Sequence, residues 1–310
     1  MPSPEVSVVI CAYTAARSDA LLEAVASLRQ QSNPPCQVIV VVDHNRELLH
    51  WLRSHAPDVV AIENAEQPGL AGARNTGLHA ARGEVVAFLD DDAVAAPDWI
   101  ERLAAGYRDL RVIGVGGAVM PAWEGQRPHW LPEEFQWVVG CSYRGLPRER
   151  SAVRNFIGCN MSFRREVFEQ VGGFTRRLGR VGSRPLGCEE TELCIRISRH
   201  VPDRVLLYDP AARVHHRVPS ERVTWKYFLA RCHAEGISKA EVARLSGRAQ
   251  GLASERAYAR RTLPAGVWAA VRAARPARAI AIVVGLATTA TGFATGFATG
   301  AAAGAEAGAA

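Results

Sequence analysis

Residues 85–94 read VVAFLDDDAV, an apolar run that ends in three adjacent carboxylates, Asp90, Asp91 and Asp92. Three like charges in a row repel one another, so the cluster weakens the fold unless a counter-charge meets it. Hard carboxylate oxygens suit a divalent cation such as Mn²⁺ or Mg²⁺, and such a cation commonly bridges a protein to a diphosphate. Side chains alternate along extended backbone, so Asp90 and Asp92 can face one site while Asp91 turns away to a structural or helix-capping role. The competing explanation is a helix start, because an aspartate ahead of APDWIERL would cap it, although a cap uses one aspartate and not three. A second acidic pair, Glu189 and Glu190, opens the helical pattern EETELCIRISRH. It could supply a proton acceptor, or it could simply answer the dipole of the helix. Arg176, Arg177, Arg180 and Arg184, punctuated by Gly179 and Gly182, form a loop. That loop could close over a diphosphate or hold an acidic acceptor, and it could equally be a solvated basic surface.

These residues need a frame, and the first half of the chain supplies one. SVVICAY, QVIVVVD, VVAIEN and VVAFLD read as strands ending at Tyr13, Asp43, Asn64 and Asp90. Helical patterns lie between them at Asp19 to Gln30, Arg46 to Ser54, and Leu70 to Ala81. Continuous apolar strands separated by helices imply an α/β fold, a mostly parallel sheet with helices on both faces. In such sheets ligands bind beyond the C-terminal ends of the strands, where all four polar termini fall. After Met120 the texture changes to an irregular aromatic segment, followed by NFIGCNMSFRREVFEQVGGF, the helix from Glu189 to His200, strand-like VLLYDPAARVHH and helical TWKYFLARCHAEG.

Composition narrows the function. A net charge of +6 on 310 residues suits an anionic ligand or membrane surface but is not the dense basic patch of a nucleic-acid binder. Seven scattered cysteines with no CxxC argue against a disulfide framework or a zinc site and fit a cytoplasmic protein. CAYTAARSDA after the first strand carries no dinucleotide-binding glycine fingerprint, and no phosphate-binding P-loop motif occurs. The N-terminus lacks the basic region of a signal peptide. From Ala279 to Ala305 there is no charged residue, long enough for a bilayer-crossing helix, and Arg272, Arg275 and Arg278 precede it as they would at a cytoplasmic face. Gly292, Gly296, Gly300 and Gly304 repeat every fourth residue, a small-residue face that lets helices approach. A disordered Ala/Gly/Thr tail is the alternative.

In order along the chain, SVVICAY, VVVDHN, GLAGARNTGL, AFLDDD, CNMSFRRE, GGF, EETELCIR and VHHRVP resemble the motifs of family 2 glycosyltransferases of the GT-A fold, over about residues 6 to 235. Within that family the set is most similar to enzymes acting on lipid-linked sugars, of the glucosyl-dolichyl-phosphate glucuronosyltransferase type. The resemblance implies inverting transfer from a nucleotide-sugar donor, usually a UDP-sugar, with a divalent cation (Mn²⁺ or Mg²⁺). Carried over by motif, Tyr13 would border the base, Asp43 would hydrogen-bond the uracil, and Arg74 would lie near the nucleotide or its phosphates. Asp90 would reach the ribose or a metal-bound water, Asp92 would bind the metal, and His216, with His215 next best, would add a further ligand.

The family usually has Glu-Asp where this chain has Glu189-Glu190, so Glu190 takes the place of the base and reaches one methylene further. A polyprenyl phosphate needs no base whereas a hydroxyl does, so a base at Glu190 points to a hydroxyl acceptor, on a glycan or a lipid-linked sugar. Trp123, Trp130 and Trp137 offer ring faces for sugars, with core packing the default for any one of them. The expected organisation is a nucleotide-sugar half over residues 1–120, an acceptor and catalytic half over 121–253, and a basic amphipathic segment and tail over 254–310 with membrane contact through 255–305. Two other readings stay open: a non-catalytic sugar- or lipid-binding scaffold, and a nucleotidyltransferase on a related sheet.

Overall fold

The computed structural model describes residues 3–180, 186–247 and 251–307. Arg184 and Gly182 of the arginine loop lie outside the described residues, as does the packing around Gly300 and Gly304. Valine and isoleucine dominate β1 (Val6–Ala12), β2 (Gln37–Val42) and β4 (Val85–Asp90), and branching at Cβ suits them to extended backbone. With β3 (Val60–Glu63) they form a parallel set in the order β3-β2-β1-β4. The connections run through α1 (Ser18–Arg29), α2 (Arg46–His55) and α3 (Leu70–Ala80). Register decides what the strand ends can do together. Ala12 lies opposite Val42, Cys11 opposite Asp90, and Val42 opposite Glu63. Tyr13, Asp43, Asn64 and Asp90 therefore emerge level with one another, on the rim the sequence led us to expect.

Beyond β4 the sheet turns antiparallel, which the sequence did not announce. β4 pairs with β8 (Asn160–Arg164), and β8 with β6 (Val112–Trp123). Next to β6 runs β9 (Val205–Val218), which also pairs with the short β5 (Ala93–Ala95) and β7 (Ser151–Ala152). β6 reads poorly as a strand because of its glycines, yet Gly117 is required. A Cβ there would lie 1.8 Å from the carbonyl oxygen of Ala212. Asn160 ties the same region together: its amide donates to the carbonyls of Ala118 and Ala212, and its oxygen accepts from the Trp99 indole at 2.8 Å. The core of this part gathers Val9, Val41, Phe88, Met161, Phe163 and Leu193, all buried. Each such side chain contributes roughly 1.5–3 kcal/mol on burial.

The helix-start explanation of the acidic run does not hold. β5 follows the aspartates directly, and α4 (Trp99–Gly106) starts only after Asp98. Asp91 thus caps no helix. α5 (Glu166–Val171) and α6 (Glu189–His200) complete the helices of this part, the latter with the bounds its pattern suggested.

Spatially the chain divides into two units. One holds Met1–Ala122, Pro147–Gly182 and Glu189–Arg217; the other holds Trp123–Leu146, Ser183–Cys188 and Val218–Ala310. In the second, α7 (Trp225–Ser246) runs well past the helical pattern read from the sequence. α8 (Ala253–Ala257), a π-helical turn and α9 (Leu263–Arg272) lead to α10 (Pro276–Ala307). The glycine face of α10 has its partner within this unit. A Cβ on Gly292 would stand 2.0 Å from the carbonyl oxygen of His233, and one on Gly236 of α7 would stand 2.1 Å from that of Thr289. Two helices pack here almost backbone to backbone. The segment from Ala279 to Thr299 is therefore an ordered helix and not a loose tail. Trp123, Trp130 and Trp137 are partly buried against the core of this unit, and Trp130 stacks on Trp225 with ring centroids 4.4 Å apart.

Candidate active site

At the end of β2, Asp43 accepts two hydrogen bonds, from the Asn64 amide at 2.7 Å and from the backbone N–H of Gly69 at 2.8 Å. Its carboxylate is fixed at the rim and retains lone pairs for a ligand donor. Tyr13 stands beside it, nearly half exposed, with the Arg17 guanidinium over its ring at 5.6 Å. Ahead of α3, Asn64 also accepts from Thr76, and Asn75 of that helix exchanges hydrogen bonds with the backbone of Phe174. This last contact explains the GGF motif, because a Cβ on Gly173 would come within 2.3 Å of the Asn75 oxygen. In the arginine loop Arg176 pairs with Glu66 at 2.9 Å, and the Arg180 carbonyl accepts from Leu70 at the start of α3.

The three aspartates separate by environment. Asp90 is one-third exposed and faces the rim, whereas Asp91 and Asp92 are buried. One guanidinium answers both buried charges: Arg17 lies 2.9 Å from Asp91 and 3.2 Å from Asp92. Burial pushes the Asp91 carboxyl up to about 7, and neighbouring Asp92 adds to the rise while Arg17 opposes it. One Asp91 oxygen is buried with no hydrogen-bond partner. Arg17 was not singled out from the sequence. It sits in CAYTAARSD, the loop leaving the first strand, so its place on the rim was the one available signal.

His216 reaches the acidic cluster through strand pairing. β5 runs antiparallel to β9 with Ala93 opposite His216, and the N–H of Arg217 donates to the Asp92 carbonyl at 2.8 Å. Alternation along β9 then buries His216 on the side of the acidic cluster and exposes His215. His216 Nε2 is 3.2 Å from an Asp92 oxygen. Asp90, Asp92 and His216 each offer a ligand atom, and these atoms lie within 4.8 Å of one another. Two carboxylates and an imidazole fit a divalent cation.

Arg74 is buried and turned inward. It donates to Glu189 at 2.6 Å and to the Gly158 carbonyl at 3.1 Å, lies 3.5 Å from Asp90, and covers the Phe174 ring at 5.4 Å. Burial opposes its charge, but Glu189 and Asp90 outweigh that and raise its pKa. A Cβ on Gly158 would stand 2.9 Å from its guanidinium, so that glycine makes room for it. The two glutamates of α6 part company as a result. Glu189 is 3% exposed and bound to Arg74, while Glu190 is half-buried and accepts from the Thr191 hydroxyl at 3.1 Å. Of the pair, Glu190 is the more exposed.

Comparison with known proteins adds four findings. A profile described as glycosyl transferase family 2 matches residues 7–172. The glucosyl-dolichyl phosphate glucuronosyltransferase of Haloferax volcanii is 38% identical over 239 residues, 76% of this chain and 76% of its own. Among solved structures, the mannosyltransferase PcManGT of Pyrobaculum calidifontis, in complex with GDP-Man and Mn²⁺, superposes with a TM-score of 0.61 at 20% identity, over 94% of this chain and 88% of that one. GalNAc-T7, with UDP, GalNAc and Mn²⁺, superposes with a TM-score of 0.53 at 19% identity, over 76% of this chain and 48% of its own length. At these identities the two structures speak to the fold.

Proposed function

The chain belongs to glycosyl transferase family 2 and has the GT-A fold, and from that premise we propose that it moves a sugar from a nucleotide-sugar donor, a UDP-sugar, to a hydroxyl on a lipid-linked sugar, inverting the anomeric centre. The observation that carries this reading is the convergence of Asp43, Asp90, Asp92 and His216 on one rim, with Glu190 the accessible carboxylate at the start of α6. Asp43 and Tyr13 would hold the base. Asp90, Asp92 and His216 would hold a divalent cation, whose chemistry is to stabilise the charge growing on the departing diphosphate. Glu190 accepts the proton of the acceptor hydroxyl as that oxygen bonds to the anomeric carbon and the carbon–phosphate oxygen bond breaks. Its longer side chain serves in place of aspartate because Glu189 is withdrawn to Arg74, leaving α6 anchored one residue earlier. Arg74 then acts as a positioning residue between Glu189 and Asp90. The lipid-linked acceptor is supported by the name of the Haloferax volcanii relative, and such an acceptor would place the enzyme at a membrane surface.

The deciding experiment offers a panel of UDP- and GDP-sugars with Mn²⁺ and follows product by mass spectrometry. We expect one UDP-sugar to raise the melting temperature and to be consumed when a glycolipid bearing a free sugar hydroxyl is added. Consumption of a GDP-sugar alone would overturn the donor assignment, and transfer directly to a lipid phosphate would overturn the role given to Glu190.

A further inference from the structure

α10 is the one candidate among the described residues for a membrane span, with a mean hydropathy of 1.7 over Pro276–Thr299. Its packing argues against crossing. Gly236, Gly292 and Gly296 bring α7 and α10 so close that neither can be pulled away without breaking the unit's own core. α7 carries Arg231, Glu235, Lys239 and Arg244, and Arg244 donates to the Gly296 carbonyl at 2.8 Å. A spanning α10 would drag those charges into hydrocarbon, where ionisable groups are expelled or need a pore.

What α10 leaves uncovered is narrower than a lipid-facing helix. Ile280 and Val283 are more than half exposed, as are Trp268 and Val271 of α9, which the turn at Ala273–Arg275 joins to α10. Each pair is spaced by three, so each makes a short apolar stripe along its helix. Arginines sit among them. Arg272 covers the Trp268 ring at 5.9 Å, Arg275 is exposed in the turn, and Arg278 donates to the His129 carbonyl. From Arg256 to Ala305 the chain carries arginines and no acidic residue. Exposed tryptophan and aliphatic residues interleaved with arginine match the headgroup layer of an anionic bilayer, apolar tips below and guanidinium at phosphate level.

We propose that the α9–α10 turn docks the enzyme on an anionic lipid surface in a peripheral manner, with α10 held to α7 and not inserted across the bilayer. This rests on the second unit alone and is independent of which sugar the site transfers. The test floats the full chain with vesicles of phosphatidylcholine, with or without phosphatidylglycerol. Binding on the order of tenfold stronger to the anionic vesicles is expected, lost at high salt and released by alkaline carbonate. Val283→Asp and Arg275→Ala should each weaken it, with the unfolding midpoint and the donor-induced melting shift unchanged because both side chains are exposed and far in sequence from the acidic cluster. Absence of binding to either vesicle, or retention through carbonate, would overturn the proposal. So would a homodimer that Val283→Asp dissolves while vesicle binding persists, since the stripe would then be covered by a second copy.

Discussion

Asp90, Asp91 and Asp92 have the same side chain and three different surroundings. Asp92 touches His216 and Arg17, Asp90 faces the rim, and Asp91 is sealed against Arg17. Asp92→Asn should lower kcat/KM by at least about 100-fold, since even outer partners of a metal ligand are worth 10–100-fold. It should also abolish the Mn²⁺-dependent part of the donor-induced melting shift. Glu190→Gln should lower kcat by roughly 10²–10⁴ with donor binding retained, as expected for loss of a base, and Glu190→Asp should recover part of the rate. A fall in donor affinity with kcat intact would instead make Glu190 a binding group. Arg74→Met leaves Glu189 buried and charged without its partner, which costs about 3–5 kcal/mol. Adding Glu189→Leu should return most of that in denaturant titration while Glu190-dependent catalysis stays impaired, the outcome expected of a pair that positions α6 in the proposed mechanism.

Packing between elements is set by groups too small to look informative. Gly292→Val would drive a side chain into the His233 carbonyl, a backbone atom that cannot step aside. We expect a loss of at least about 1–3 kcal/mol, the scale of overpacking, whereas Gly125→Ala, with nothing within 4 Å of the added carbon, should be silent. The strands after β4 were the hardest to see in the sequence for a related reason. Gly114, Gly116 and Gly117 depress the strand signal of β6, yet they admit Phe156 and Ala212 against the sheet. By contrast β1, β2 and β4 are apolar on both faces, so their pattern alone announced them.

At the scale of the whole molecule, stability against acid turns on how individual carboxylates are paired. Glu235 on α7 is partly buried, and burial opposes its charge, but Lys239 and Arg231 at 3.5 and 3.4 Å outweigh that and hold its carboxyl below the usual range. A depressed carboxylate stabilises the fold above its unfolded pKa of about 4.3, and that contribution fades as pH falls through the lower folded value. Glu235→Gln should therefore reduce stability at neutral pH and flatten the acid limb of a stability–pH curve. An unchanged acid limb would assign acid unfolding to other carboxylates. The seven cysteines are all free, so no cross-link shares in this stability.

Local pattern was enough for the parallel half, the acidic run at its rim, the α6 glutamates and the family, because periodicity and strand-end chemistry are written in neighbouring residues. It also ranked His216 above His215 by motif. The tertiary structure decided what faces what. Arg17 meets Asp91 across 74 positions, and Arg74 meets Glu189 across 115. His216 joins Asp92 only because β5 and β9 pair in one register. The glycine face of α10 was visible, but not that α7 of the same chain fills it. A sequence records which face of an element shuns water. It does not record which distant element will cover that face, since burial is non-directional and partner choice depends on close packing that only the folded chain provides.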